Sequence, residues 1–307
     1  MSGKLVLKYI NDTYDSDEEP PNTKEINNIS SNSGITELHF DDENFNQEIN
    51  GLDHIKTLFI KSTEFNSEII NCRCLVKLII NCTYFNSVIE FPETLEYFKI
   101  NSDYYNKPLK LTKTQIKYLD ICSNKFNYPL DNLPNTLETL ILSSIYNYTC
   151  ELNNLPPSLL YCTLYLPSNY SHDINYLPPK IKKLEIKFAH CINVYYKFAL
   201  ANLPNITELY LLNYFGDYNI LPDSIELLDI KYSNDTNIDR NAEIKNTFNI
   251  LNKLPQNLKI LNYQSDIYPT RLLTFEAVPH LKQNFNILNL IISRVNLSGI
   301  TVNGRTY

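Results

Sequence analysis

The chain has 307 residues, 43% of them hydrophobic, and a net charge of −7. Its basic residues are scattered, which argues against a nucleic-acid backbone as partner, because such a partner calls for a concentrated positive face. No run of about 18 apolar residues exists, so no membrane span is expected. The seven cysteines form no even framework and fit reduced thiols in a cytoplasm-like compartment.

Read from its start, MSGKLVLKYINDTYDSDEE has a short apolar patch broken by Lys8 and then turns acidic, which is not the pattern of a secretory signal. Residues 1–34 are expected to be an N-terminal cap and an acidic flexible segment. Asp12 to Glu19, followed by Pro20-Pro21, reads as solvated chain. Ser16 precedes Asp17, Glu18 and Glu19, a pattern acidophilic kinases accept, but a solubilising tail is the favoured reading.

From residue 35 the chain repeats itself. The motif Ile/Leu-x-x-Leu-x-Ile begins at Ile35, Ile55, Leu75, Leu95, Ile116, Leu137, Leu159, Ile181, Ile206, Ile225 and Leu258. The steps are 20, 20, 20, 21, 21, 22, 22, 25, 19 and 33 residues. A period near 21 predicts a leucine-rich-repeat-like solenoid over 35–263: one curved parallel β-sheet of eleven rungs, with extended or short-turn return segments and little α-helix. In IKYLDI, Leu119 and Ile121 share one face and Tyr118 and Asp120 the other, because side chains alternate along a strand. Ile116 has the wrong parity for Leu119, so it is expected to reach the core after a bend, leaving a regular strand of about four residues.

The return halves carry two further signatures. Phe-Asn occurs at Phe45-Asn46, Phe65-Asn66, Phe85-Asn86 and Phe126-Asn127, with Tyr105-Asn106 as a variant, and an apolar residue follows four positions later at Ile49, Ile69, Ile89, Leu109 and Leu130. These predict an internal aromatic column and an Asn ladder that satisfies turn carbonyls. Leu-Pro then appears at Leu133-Pro134, Leu155-Pro156, Leu177-Pro178, Leu203-Pro204, Leu221-Pro222 and Leu254-Pro255. Proline holds its own φ and pushes the preceding residue toward extended geometry, which leaves no room for a full helix.

FNYPLDNLPNTLETLIL, from Phe126 to Leu142, resembles an FNIP repeat, a leucine-rich-repeat relative found mainly in social amoebae and in giant viruses that infect amoebae. The resemblance covers roughly 35–263. It implies the solenoid fold and a protein-interaction role, and it supplies no reaction. The F-box or kinase module that often accompanies such repeats has no counterpart here.

Chemistry-bearing residues form no recognised constellation. Cys72, Cys74 and Cys82 lie close together with His54 one repeat earlier, but no second pair with zinc spacing follows. Cys82 and Cys122 are expected in the same repeat position, as small apolar residues. The five histidines meet no Ser, Cys or Asp partner pattern, and six glycines build no phosphate loop. No cofactor, metal or catalytic residue is assigned, and the chain is read as a non-enzyme.

The outward face of the sheet remains. Positions three and five of each motif cannot reach the core, so they are free to serve a partner. Phe59, Ile79, Tyr97, Tyr118, Ile141 and Tyr161 form a semi-apolar strip, and the second half turns acidic through Glu185, Glu208 and Asp229. The expected protein-binding set is Phe59, Ile79, Tyr97, Lys99, Tyr118, Asp120, Tyr161, Lys183, Glu185, Glu208, Tyr210 and Asp229, on a monomer whose partner is a protein. β-Propensity alone also places Tyr, Ile and Thr on exposed strands, so the strip has two readings. The rival function is a structural or assembly component with no discrete ligand.

The long step after Ile225 is filled by 232–247, read as a polar excursion on the rim or as a degenerate extra repeat. Beyond Tyr263 the pattern fades into a C-terminal cap, 264–307, with a short helix in 270–284 and a last strand at 286–293.

Overall fold

The computed structural model describes residues 3–8, 34–143, 146–167, 169–172, 174, 176–188, 203–214, 221–232, 255–265, 301–302 and 305–306. The acidic segment 12–19, Ser16, the excursion beyond Tyr232, and the expected helix and strand at 270–284 and 286–293 lie outside them. The chain divides into two compact units, Met1–Cys150 and Glu151–Tyr307.

The first unit contains β1 (Gly3–Lys8), β2 (Ile35–Asp41), β3 (Ile49–Asn50), β4 (Thr57–Ser62), β5 (Ile69–Ile70), β6 (Lys77–Cys82), β7 (Tyr97–Asn101), β8 (Tyr118–Cys122) and β9 (Thr139–Ser143). Its main sheet runs β1-β2-β4-β6-β7-β8-β9, every pair parallel. The second unit contains β10 (Tyr161–Leu166), β11 (Lys183–Phe188), β12 (Glu208–Leu212), β13 (Leu227–Tyr232), β14 (Ile260–Ser265), β15 (Thr301–Val302) and β16 (Arg305–Thr306). Strands β10 to β14 pair in order and in parallel, and β15 pairs β16 antiparallel. No helix occurs among the described residues.

Every one of the eleven motifs carries a strand, and after β2 each strand begins at position three. The strands are five to seven residues long rather than about four, because the ladder continues one or two residues past the sixth position. Position one precedes the strand and is buried as expected: Ile55, Leu75, Leu95, Ile116 and Leu137 are 0–1% exposed. A turn places it there. The N–H of Leu137 donates to the carbonyl of Pro134 at 3.1 Å, and Leu159, Ile181 and Ile225 repeat the arrangement with Pro156, Pro178 and Pro222. Leu-Pro therefore opens a four-residue turn that feeds these strands.

Parity is as read from the motif. Phe98, Leu119 and Leu140 stand in one column by register, and all are fully buried. Such columns convert a strand too short to be stable alone into a continuous core, at about 1.5–3 kcal/mol for each large apolar side chain buried. The return path adds a second ladder, in which Ile49 pairs Ile69 and Ile69 bridges Ile89. Gly51, at φ +72°, turns the chain after β3, and Asn71 takes the equivalent place one repeat later at φ +54°. Glycine and asparagine are the residues that enter this left-handed region at least cost.

The N-terminal strand has no motif, yet it joins the sheet in the same register. Leu5 pairs with Leu38 and Leu7 with Phe40 by backbone register. Lys4 and Lys8 fall opposite Glu37 and Asp41, and the Lys4–Glu37 ion pair measures 3.3 Å.

The aromatic column exists and is longer than Phe-Asn alone indicates. Phe45, Phe65, Phe85, Tyr105, Phe126 and Tyr148 stack with centroid separations of 5.4, 5.4, 6.0, 6.3 and 6.2 Å. Tyr148 escapes the Phe-Asn pattern, but Leu152 four residues later marks it. The Asn ladder works differently from the expectation. The Oδ1 atoms of Asn46, Asn66, Asn86, Asn106 and Asn127 accept the backbone N–H of the next repeat, at Asn66, Asn86, Asn106, Asn127 and Thr149, over 2.7–3.1 Å. They satisfy amides rather than carbonyls.

The turn carbonyls are served by a buried serine row. Ser62, Ser102 and Ser123 are 1–4% exposed, and their hydroxyls donate to the carbonyls of Phe45, Phe85 and Tyr105 one repeat earlier. Cys82 belongs to this row by register with Ser62, whereas Cys122 pairs with Asn101, one position earlier. The two cysteines therefore do not share a repeat position.

Candidate protein-binding face

Positions three and five of each strand point away from the core in both units. In the first unit the register puts Phe59, Ile79, Lys99, Asp120 and Ile141 in one row, and Lys77, Tyr97, Tyr118 and Thr139 in the row beside it. Six expected site residues are thus brought together: Phe59, Ile79, Tyr97, Lys99, Tyr118 and Asp120. The second unit carries the other six, Tyr161, Lys183, Glu185, Glu208, Tyr210 and Asp229, on strands β10 to β13.

The centre of the first face is a tyrosine pair. The rings of Tyr97 and Tyr118 lie 4.3 Å apart with an interplanar angle of 1°. The parallel ladder imposes this, since in-register strands separate equivalent side chains by about 4.8 Å, close to a stacking distance. Lys77 Nζ sits 4.9 Å from the Tyr97 ring centroid, so its charge is held over the aromatic face. Lys77 occupies position three but was absent from the expected site; only the structure reveals that its ammonium lies on the strip.

Asp120 departs from the expectation of an exposed carboxylate. It is outward by parity, yet only 5% exposed. Lys99 Nζ pairs with it at 2.9 Å, and the Tyr118 hydroxyl lies 3.5 Å from the same oxygen. The hydrogen bond to Asp120 holds the Lys99 ammonium above its usual range, so the ion pair persists. Partial burial, with the Asp120 charge beside it, pushes the Tyr118 phenol well above its ordinary value. His39 is likewise less open than its parity suggests: its Nε2 is 2.6 Å from Glu37, and its ring lies 5.1 Å from Phe59. The Glu37 carboxyl is held low, first by that His39 bond.

In the second unit, Tyr161 is 44% exposed. Lys183 Nζ lies 4.4 Å from the Tyr210 ring centroid, and the Tyr210 hydroxyl donates to Glu208 at 3.2 Å. Burial and then the Glu208 charge push the Tyr210 phenol up. The expected acidic character is largely compensated. Glu185 pairs with Lys187 at 2.9 Å and accepts from Thr163, while Asp229 is 6% exposed, paired with Lys231 at 3.3 Å and bonded by Asn262.

Among the described residues, no three of His, Cys, Asp and Glu gather closely enough to hold a metal ion. Cys72, Cys74, Cys82, Cys122 and Cys162 are free thiols. Burial pushes Cys72 up to about 11 and Cys82 and Cys162 up to about 12, which leaves these three as neutral packing groups.

No protein-family model matches the chain, and no curated protein is similar to it in sequence. Among solved structures it is similar to the crystal structure of CroV588, a novel circular leucine-rich-repeat protein, with a TM-score of 0.50 and 22% identity. The match covers 79% of this chain and 42% of that one, so the chain spans less than half the length of that neighbour. At this identity the likeness is one of fold. Together with the eleven-fold motif and the parallel ladders, it makes the chain a leucine-rich-repeat-like solenoid of stacked parallel strands.

Proposed function

We propose that this chain is a non-enzymatic interaction scaffold of the FNIP-repeat kind, which binds a protein partner through the outward face of its sheet. The observation that carries this reading is the contiguous strip of Phe59, Ile79, Tyr97 and Tyr118 in the first unit. These side chains lie outside the core, and each is only partly exposed. Preorganised aromatic groups on a rigid sheet lose little side-chain entropy on binding, which is why such groups anchor interfaces. The fold of the neighbouring solved structure fits the same reading, because solenoids serve widely as recognition surfaces.

The test is the double variant Tyr97→Ser with Tyr118→Ser, compared with wild type by affinity purification from the native cell and mass spectrometry. Partners recovered by wild type are expected to be lost by a variant that keeps its circular dichroism. An unchanged partner set with an unchanged fold would overturn the proposal. Recovery of the chain itself at fixed stoichiometry, and of nothing else, would favour an assembly component.

A further inference from the structure

We infer that the outward face of the first unit selects partner segments that combine carboxylates with apolar side chains; this rests on the binding role proposed for that face. By formal count its centre is nearly neutral, with Lys77, Lys99 and Asp120 in adjacent rows. Burial changes what a partner meets. The Asp120 side chain is 7% exposed, while the Lys99 side chain bonded to it is 43% exposed. The carboxylate lies beneath and the ammonium on top.

Lys77 adds a second ammonium. Among the described residues it forms no ion pair, and its ammonium lies against the Tyr97 ring. Of the other lysines on this face, Lys4, Lys61 and Lys99 each pair with a carboxylate: Glu37, Asp41 and Asp120. A partner therefore meets two positive groups set among Ile79, Tyr97 and Tyr118. A carboxylate placed against Lys77 while an apolar neighbour covers the tyrosine pair satisfies both. At the tyrosine pair a basic segment would meet two ammonium groups and only the buried carboxylate of Asp120, and a purely acidic one would leave the strip uncovered.

The protein as a whole opposes acidic partners, since its net charge is −7. Screening limits that repulsion to about 8 Å at physiological salt, so the local ammonium groups decide the contact. Acidic–apolar selectivity is thus a property of this patch and not of the overall charge.

The experiment uses the full chain and measures fluorescence anisotropy of labelled random copolymers at physiological salt. The probes are poly(Glu,Tyr), polyglutamate and poly(Lys,Tyr). Poly(Glu,Tyr) is expected to bind at least about tenfold more tightly than either of the others, a ratio set by an aromatic anchor together with a charge contact. Lys77→Met keeps the aliphatic stem over Tyr97 and is expected to weaken binding by about threefold to fivefold, the range of a partly exposed ion pair. Lys77→Glu is expected to weaken it further. Equal binding of poly(Lys,Tyr), or of wild type and both Lys77 variants, overturns the acidic preference. If the Tyr97→Ser, Tyr118→Ser protein still loses poly(Glu,Tyr) in that case, the face survives as a binding surface and only its selectivity is wrong. If that double variant binds as wild type does, the face itself is wrong.

Discussion

The hydroxyl of Ser102 donates a hydrogen bond of 2.9 Å to the carbonyl oxygen of Phe85, seventeen residues earlier and one repeat below. The Ser102 hydroxyl also lies 3.0 Å from the carbonyl oxygen of Thr83, its second acceptor. A buried hydroxyl thus closes the turn that introduces the aromatic column. Ser102→Ala leaves the buried Phe85 carbonyl without its donor. It is expected to cost about 1–3 kcal/mol, read as a lower midpoint in urea. Cys82 holds the same row position, so Cys82→Ser supplies a stronger donor and is expected to fold with unchanged or raised stability. A loss for Cys82→Ser as large as that for Ser102→Ala would refute the shared role.

Leu119 and Tyr118 are adjacent in sequence and opposite in role. Leu119 is fully buried between Phe98 and Leu140, and Leu119→Ala is expected to cost about 2–5 kcal/mol. Tyr118→Ala removes one ring of a partly exposed stack and is expected to cost about 1 kcal/mol. Denaturant melts of the two variants check this. Equal shifts in midpoint would contradict the strand parity.

Asn86 tests the amide ladder. Its Oδ1 accepts the N–H of Asn106 at 2.9 Å on the solvent side of the repeat. Water can replace a lost acceptor there, so Asn86→Ala is expected to cost only about 0.5–1.5 kcal/mol. Asn86→Asp keeps an acceptor at the same place and is expected to lose less than Asn86→Ala. The opposite order in thermal melts would mean that the amide group, as donor, is what matters.

The buried thiols predict alkaline sensitivity. An unfolded thiol ionises near the ordinary 9.0, whereas burial holds the folded Cys82 proton until about 12. Below pH 9 both states keep the proton and the contribution is complete. As the pH rises from 9 toward 12 the unfolded state loses its proton first, and stability falls. The melting temperature of wild type is expected to drop more steeply between pH 8.5 and about 10.5 than that of Cys82→Ser. Parallel curves would show that the thiol proton is not linked to folding. Native-state alkylation gives a second check: exposed Cys74 should react well before Cys72, Cys82 and Cys162.

The sequence by itself determined the solenoid. A six-residue motif at a period near 21 needs a strand, a turn and a stacked neighbour, and the parity of Leu119 and Tyr118 follows from the alternation of any strand. The aromatic column was legible as far as Phe and Tyr preceded Asn. What the tertiary structure decided is how equivalent positions meet across repeats. The motif does not show that Asn86 serves an amide while Ser102 serves a carbonyl, because both residues can bond either group and only their depth distinguishes them. Nor does it show that β1 enters the sheet, since that strand lacks the six-residue motif and only its register with β2 places it there. Which positions face outward was legible from strand alternation, but their electrostatics were not. Asp120 and Lys99 look equal in sequence, yet the short carboxylate stays at the level of the sheet, while the long lysine stem arches over it and carries the charge to the surface.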